Sequence, residues 1–310
     1  MDKLTARLIL FLKGMGMGAA DVVPGVSGGT IAFISGIYEE LIDSIRAVNA
    51  KALQLLLKFD IKGLWKHING NFLLVLFMGI FVSILSLSRL TLYLLEHQPI
   101  LIWSFFFGLI IASILGVSRQ VKQWNPAVIG AFVLGTILAY WITVAAPTQT
   151  PDDWWFILLS GSIAICAMIL PGISGSFILL LLGKYKYIFG AIKEFQIDII
   201  FLFGIGCVLG LTSFSHLLNF MLKKYHDLTV ALLTGFMLGS LNKVWPWKIA
   251  IETYTDSKGK VHPLLEKNLL PADFIAETGL PAELGTALVL AAFGFLLVFL
   301  LDRIGRKKLA

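Results

Sequence analysis

A stretch that interrupts apolar sequence occurs twice, and it constrains the fold more than any other feature. Residues 24–38 read PGVSGGTIAFISGIY and residues 171–185 read PGISGSFILLLLGKY, so that seven of the fifteen positions are identical at an offset of 147. Proline ends a preceding helix, and the small residues that follow allow a new helix to begin. The chain therefore contains an internal repeat, each copy of which holds a broken helix.

Broken helices are restricted to a few environments in a membrane. With 57% hydrophobic residues, 14% charged residues and a mean hydropathy of +0.85, the chain is predicted to be a polytopic membrane protein. In hydrocarbon, irregular backbone persists only inside protein or against a polar cavity. Residues 4–45 and 154–194 are therefore predicted to be re-entrant hairpins, because their arms are shorter than the roughly 20 residues of a full span.

The rest of the chain supplies six predicted spans. They cover residues 72–94, 100–117, 127–145, 197–222, 228–245 and 284–301. Residues 51–68 are basic with apolar residues at helical spacing, which predicts an amphipathic helix on the inner surface. Lys and Arg are concentrated in the segments that this arrangement leaves inside, whereas the external loop 246–282 has more acids than lysines. Both termini are then cytoplasmic.

A second similarity divides the chain into two halves. SLSRL at 86–90 matches SFSHL at 213–217 with an offset of 127. The predicted halves are residues 1–147 and 148–310, each with one broken hairpin and three spans. An odd number of crossings inverts the second half relative to the first, as in many secondary transporters. The predicted fold class is thus an all-α polytopic membrane protein built from two inverted repeats.

The two breaks are the first candidate binding site. A new helix leaves its first N–H groups unpaired, and small residues around them form a site for an anion. The alternative is that the glycines only permit tight turns and close helix packing. The candidate residues are Ser27, Gly28, Gly29, Thr30, Ser174, Gly175 and Ser176.

Two polar residues inside apolar spans extend this candidate site. Arg89 and its repeat partner His216 are predicted to bind substrate, because a charge in hydrocarbon is costly and is retained mainly for function. Arg89 could instead extend to the headgroups, and His216 could form a hydrogen bond between helices.

Four further residues are candidates for coupling or gating. Asp21 could pair with Arg89, take up a coupling proton or cap a helix end. Glu39 and Glu40 are either solvated charges at the inner mouth or coupling groups. Lys184 either steers phosphate from the outer leaflet or anchors the chain at the interface. The sequence leaves protons and sodium open as coupling ions.

Other functional classes are disfavoured. Cys166 and Cys207 lie in apolar runs without a CxxC motif or a Cys/His cluster, so neither a disulfide nor a metal site is predicted. We expect no cofactor, and the partners are membrane lipids rather than nucleic acid.

Two segments carry a resemblance to a known family. KGMGMGAADVVPGVSGGTIA in the first half and ILPGISGSFILLLLGKY in the second resemble the polyprenyl-phosphate transporter family PopT, formerly catalogued as a domain of unknown function. The resemblance implies a bacterial inner-membrane flippase and not an enzyme. Such a protein returns undecaprenyl phosphate, the lipid carrier of cell-wall peptidoglycan precursors, from the outer to the inner leaflet. The phosphate would be held during alternating access between the two PG-x-SG runs, residues 24–28 and 171–175, which are here called the tips.

Two alternatives stay open at this point. PGVSGGT also resembles the PG-x-SRS-x-x-T motif of undecaprenyl-pyrophosphate phosphatases, although Gly28 stands at the arginine position. Without that cation, stabilising a transferring phosphoryl group would be difficult. The second alternative is an anion or small-solute transporter, which would use the same helix ends.

Overall fold

The computed structural model describes residues 3–22, 26–148, 150–255 and 261–306. Within these residues the chain is mostly helical, in agreement with the helical part of the predicted class, whereas the two inverted repeats stay a prediction. In chain order the elements are α1 (Lys3–Asp21), α2 (Gly28–Ile34), α3 (Tyr38–Arg46), α4 (Ala50–Leu57), α5 (Ile61–His67), α6 (Gly70–His97), α7 (Pro99–Ser118), α8 (Pro126–Val144), α9 (Trp154–Ile169), α10 (Gly175–Leu181), α11 (Tyr185–Lys193), α12 (Ile197–Lys224), α13 (His226–Ser240), β1 (Lys248–Thr255), β2 (Val261–Asn268), α14 (Pro271–Thr278) and α15 (Leu284–Arg306).

Four helices among the described residues are long and apolar enough to cross a membrane, namely α6, α7, α8 and α12. They coincide with four of the six predicted spans, and the chain is a multi-pass membrane protein. Helix α13 has 15 residues and is about 22 Å long, which is less than a hydrocarbon core of about 30 Å. The described apolar stretch of α15, Leu284–Leu300, is likewise shorter than a full span. Crossings by α13 and α15 stay predictions.

The centre of the protein is formed by α7 and α13. In the apolar window of α7, 61% of the residues are buried, whereas the apolar windows of α8 and α12 are 17% buried and present apolar side chains outward. Helix α15 packs on α7, and α8 packs on α13. Both contacts are close at a glycine. A Cβ added at Gly108 would overlap the carbonyl oxygen of Ala291, and one added at Gly235 would overlap that of Phe132.

The two broken segments have the same local structure. Helices α2 and α10 have seven residues each, and α3 and α11 have nine each. In both, a glycine with positive φ makes the turn between the helices: Gly36 has φ +72° and Gly183 has φ +66°. Helices α10 and α11 meet at 111°.

Each broken segment is preceded by a helix that runs parallel to a long one. Helix α1 packs on α6 with Gly14 against Gly79 and Gly18 against Ser83, so both helices run in the same direction. In the second half, Ser162 on α9 donates a hydrogen bond to the carbonyl of residue 206 (2.7 Å), and Cys166 donates one to that of residue 210 (3.5 Å). Helices α9 and α12 are therefore parallel as well.

The predicted single helix over residues 51–68 is wrong. The chain forms α4 and α5 instead, separated at Phe59, whose φ of +54° is left-handed. The Asp60 carboxylate then accepts a hydrogen bond from the Gly63 N–H (2.8 Å) and begins α5. Periodicity continues across the break, which is why it does not reveal the two helices.

Residues 245–282, here called the cap, contain more structure than the predicted external loop. Strands β1 and β2 form an antiparallel hairpin, a departure from the all-α prediction, and α14 follows. The Trp247 indole N–H donates a hydrogen bond to the Ala282 carbonyl (2.8 Å). The Trp247 side chain packs with Leu269 and Phe274 in a small core. This core holds the cap against the first turn of α7 through Ile100.

Candidate functional site

The two repeated motifs contact each other at their broken ends. The Ser27 hydroxyl donates a hydrogen bond to the Met168 carbonyl oxygen (2.9 Å), and the Gly172 N–H donates one to Thr30 Oγ1 (2.9 Å). Ser27 and Thr30 are both fully buried. The fold thus joins residues that are 141 and 142 positions apart.

A tyrosine that sequence reasoning did not select completes the contact. The Tyr38 hydroxyl donates to the Ile169 carbonyl oxygen (3.2 Å), and its ring meets Phe33 edge-on with centroids 4.7 Å apart. The side chain is 2% exposed. Its signal in the sequence is that tyrosine ends both copies of the motif, at Tyr38 and Tyr185.

Glycine is required where the motifs are closest. A Cβ at Gly29 would overlap the Ile169 carbonyl oxygen and would lie 3.1 Å from that of Met168. Both neighbours are backbone atoms, so a side chain could enter only if the two segments moved apart. Close packing therefore explains Gly29, as the alternative interpretation of the glycines proposed.

Helix α2, which follows the first break, begins with two caps. Ser27 Oγ accepts a hydrogen bond from the Gly29 N–H (3.0 Å), and Asp21 Oδ1 accepts one from the Gly28 N–H (2.7 Å). A carboxylate therefore occupies the position expected for a bound anion. Of the alternatives for Asp21, the structure shows the helix cap; within the described residues Asp21 forms no ion pair with Arg89.

Helix α10, which follows the second break, begins differently. Ser174 precedes α10 but makes no side-chain cap bond, and its hydroxyl lies 2.8 Å from that of Ser176. Gly175 packs against the Ala164 carbonyl, where a Cβ would approach to 2.6 Å. Met168 stands where the first repeat has Asp21, so no carboxylate from that position faces this helix start.

Arg89 and His216 are not brought to the motifs in this conformation. Both side chains are exposed, on α6 and α12. His216 Nδ1 lies 2.7 Å from the carbonyl oxygen of Thr212 on its own helix. Within the described residues Arg89 forms no hydrogen bond or ion pair. Their binding of substrate stays a prediction.

Lys184 is buried and ion-paired in this conformation, and its predicted roles in steering phosphate or anchoring the chain at the interface stay predictions. It is 1% exposed, forms an ion pair with Asp152 and donates to the Thr150 carbonyl (2.8 Å). Its ammonium also lies 5.5 Å from the ring centroids of Phe156 and Tyr187. The segment before α9 folds back over Lys184 and removes it from solvent.

Glu39 and Glu40 lie in the first turn of α3, away from the contact between the motifs. Glu40 accepts a hydrogen bond from Asn69 Nδ2 (2.9 Å), and Glu39 lies 3.8 Å from His226 Nε2. Both are exposed, in agreement with solvated charges. A coupling role for either stays a prediction.

Comparison with known proteins adds the family. The profile of the VCA0040-like, undecaprenyl phosphate translocase-like family matches residues 17–262. A polyprenyl-phosphate transporter of Vibrio cholerae is 50% identical over 300 residues, which cover 97% of each chain. One of Staphylococcus aureus is 33% identical over 258 residues, 77% of this chain and 87% of the relative. No solved structure matches significantly. The chain belongs to the undecaprenyl phosphate translocase-like family.

Proposed function

We propose that this protein transports polyprenyl phosphate, and specifically that it returns undecaprenyl phosphate from the outer to the inner leaflet of the bacterial inner membrane. The relatives are named as polyprenyl-phosphate transporters. The observation that carries the mechanism is the hydrogen-bonded contact between the two motifs. A lipid that feeds peptidoglycan synthesis would place its phosphate there and leave its prenyl chain in the bilayer.

The geometry of the first half supports a re-entrant hairpin. Helix α2 begins beside Asp21 and ends where Lys13 donates to the Ser35 carbonyl (2.6 Å), so it runs back along α1. The eight residues from Lys13 to Asp21 correspond to about 12 Å of depth. Because α6 then runs parallel to α1, the chain returns to its starting side without crossing. Such a turn requires surrounding protein or a polar cavity.

The long helix α12 supports the inverted arrangement. Its first half lies along α9, which leads into the second hairpin. Its end contacts α3 of the first hairpin, where Asn219 binds Asp43 and accepts a hydrogen bond from Arg46 (2.9 Å). A helix of 28 residues is about 42 Å long, enough to cross the bilayer. The two hairpins would then enter from opposite sides and meet near the midplane.

The tips are closed in this conformation. The Gly28, Gly29 and Gly172 N–H groups are bound to protein oxygens. We propose that alternating access separates the tips, so that the phosphate takes over these donors and the hydroxyls of Ser27 and Thr30. Asp21 would leave as the phosphate arrives, because two anions would repel one another at one helix start. Proton uptake by Asp21 is one route to this exchange; sodium entry is the other.

A transport assay tests the function. Purified protein is placed in vesicles that contain undecaprenyl phosphate in both leaflets, and alkaline phosphatase is added outside. With the transporter, the enzyme should dephosphorylate the lipid of both leaflets; in protein-free vesicles it should stop when the outer leaflet is exhausted. Equal extents in the two preparations would contradict the proposal.

The same preparation separates the alternatives. Release of phosphate from undecaprenyl pyrophosphate without added phosphatase would indicate an enzyme. A Cβ at Gly28 would lie 2.9 Å from both Asp21 Cγ and Oδ1, so the arginine of the phosphatase motif would require the Asp21 side chain to move. Leakage of trapped inorganic phosphate would indicate an anion transporter instead.

A further inference from the structure

A group of largely buried charges lies where the cap meets the end of α13, and it takes no part in the contact between the motifs. Lys243 lies 2.7 Å and Lys248 3.5 Å from the same oxygen, Oε2 of Glu266. Their side chains are 14%, 6% and 16% exposed, respectively. Among the described residues, two cations thus share one carboxylate, which leaves one positive charge in excess. Burying an unbalanced charge is costly, so the excess requires an explanation.

The two lysines are held in fixed positions. The Lys248 ammonium donates to the Lys243 carbonyl (2.8 Å) and lies 3.7 Å from the centroid of the Trp103 ring. Burial lowers the pKa of Lys248 to about 8, and the negative charge of Glu266 opposes that shift. Lys248 therefore remains mostly charged at neutral pH. The ring contact stabilises its ammonium where water is excluded.

Lys243 connects this group to the second motif. Its ammonium lies 4.7 Å from the ring centroid of Phe177, the residue that follows Ser176 on α10. Within the described part of the chain, Glu266 is the only hydrogen-bond acceptor bound by this ammonium. An ammonium has three N–H donors, so Lys243 can donate a hydrogen bond to a further oxygen atom.

The space beside Lys243 is small but polar. A cavity of about 20 Å³ is bordered by Thr143, Asn242, Lys243, Glu266 and Asn268 as well as Phe177. A volume of this size holds about one water molecule. A phosphate group would fit only if the Glu266 carboxylate moved out of this space.

We propose that Lys243 and Lys248 form an entry site for the phosphate headgroup of the lipid, and that Glu266 occupies this site as an internal anion until the lipid arrives. A phosphomonoester carries a charge of about −1.5 to −2 at neutral pH. It would balance the two ammonium groups better than a single carboxylate does. Phe177 would lie beside the bound headgroup, and it directly follows Ser176 of the second motif. The inference rests on the proposed function, since it assigns the first step of the same transport.

Binding measurements in detergent test the site. The probes are farnesyl phosphate, farnesol and inorganic phosphate, which separate the contributions of headgroup and chain. Lys243→Gln and Lys248→Gln should each weaken farnesyl phosphate binding by about tenfold, since each removes a hydrogen bond to a charged group. Glu266→Gln should strengthen it several-fold, because the competing anion is lost. Lys267→Gln is the matched control: Lys267 is the next residue on β2, exposed and 3.4 Å from Glu277.

The outcomes distinguish the inference from the proposed function. If the wild type does not bind farnesyl phosphate, the proposed function and the inference both fail. If the wild type binds and both lysine variants, shown to be folded by gel filtration, bind equally well, only the entry site is wrong. Weaker binding by Glu266→Gln would indicate a purely structural ion group and would also overturn the inference. Equal affinity for inorganic phosphate would overturn the assignment to a lipid headgroup.

Discussion

The two broken hairpins share one backbone and differ in their chemistry. Each has a seven-residue helix, a glycine turn and a nine-residue helix, and the residues that end the first helix, Ser35 and Leu182, have the same dihedral angles, φ −77° and ψ 0°. At the tips, however, Asp21 and Ser27 cap the first hairpin, whereas neither kind of cap is present at Ser174. Small residues and glycine turns give the two segments the same backbone conformation. The charged residues at the tips differ, since Asp21 has Met168 as its counterpart.

The opposite ends of the hairpins differ as well. The turn of the first is held by Lys13, which donates to the Ser35 carbonyl (2.6 Å). The turn of the second contains Lys184, which is itself buried against Asp152. One hairpin therefore has an anion at its tip, and the other has a buried cation at its turn.

The largest effect is expected from Asp152→Asn. It leaves the Lys184 ammonium buried without its ion-pair partner, which should lower the free energy of unfolding by about 3 kcal/mol, the low end for a buried pair, because the Asp152 side chain itself is exposed. Denaturant unfolding in detergent, followed by tryptophan fluorescence, measures the change. Asp153→Asn is the matched control, because the Asp153 side chain makes no cap bond to α9. Adding Lys184→Met to Asp152→Asn should recover most of the stability; no recovery would contradict the buried-charge explanation.

The second largest loss of stability is expected at Gly29, where the two tips are closest. Gly29→Ala places a Cβ against the Ile169 carbonyl and should destabilise the closed state by about 1–3 kcal/mol. Vesicle transport should fall with it, because the tips can no longer close. Gly130→Ala on α8 is the control, since no atom lies within 4 Å of the added Cβ there. Similar losses in both variants would show that the contact has no special role.

Serine substitutions compare the two tips directly. Ser27→Ala removes both a helix cap and the bond to the Met168 carbonyl, and should cost about 0.5–2 kcal/mol. Ser174→Ala should cost less, because its hydroxyl bonds only to that of Ser176 in the described structure. The unfolding assay described above ranks the two variants. A greater loss from Ser174→Ala would reverse the proposed asymmetry.

The smallest effect tests the anion at the first tip. Asp21→Asn keeps an oxygen acceptor for the Gly28 N–H but removes the charge, so farnesyl phosphate binding should strengthen by a few-fold if phosphate displaces this carboxylate. Met168→Asp introduces the missing carboxylate at the second tip and should weaken binding. Titration calorimetry measures both. A loss of affinity in Asp21→Asn would argue that the carboxylate supports binding rather than competes with it.

Much of the fold follows from local sequence. Helices α6, α7, α8 and α12 match their predicted spans within a few residues at each end, because an apolar run of sufficient length in lipid must satisfy its own backbone as a helix. Phe59 and the β1–β2 hairpin were not predictable in this way. A left-handed phenylalanine breaks a periodic segment without altering its pattern, and the hairpin is stabilised by partners such as Trp247.

By itself the sequence determined that the chain is a multi-pass membrane protein with two similar breaks, because composition and small residues act locally. Tertiary structure alone decided which polar groups meet. Ser27 reaches Met168 across 141 positions, Asp21 folds onto Gly28, and Lys184 is buried by Asp152. These pairings depend on how helices pack, and buried polar groups must bind whichever partner that packing brings within hydrogen-bond distance.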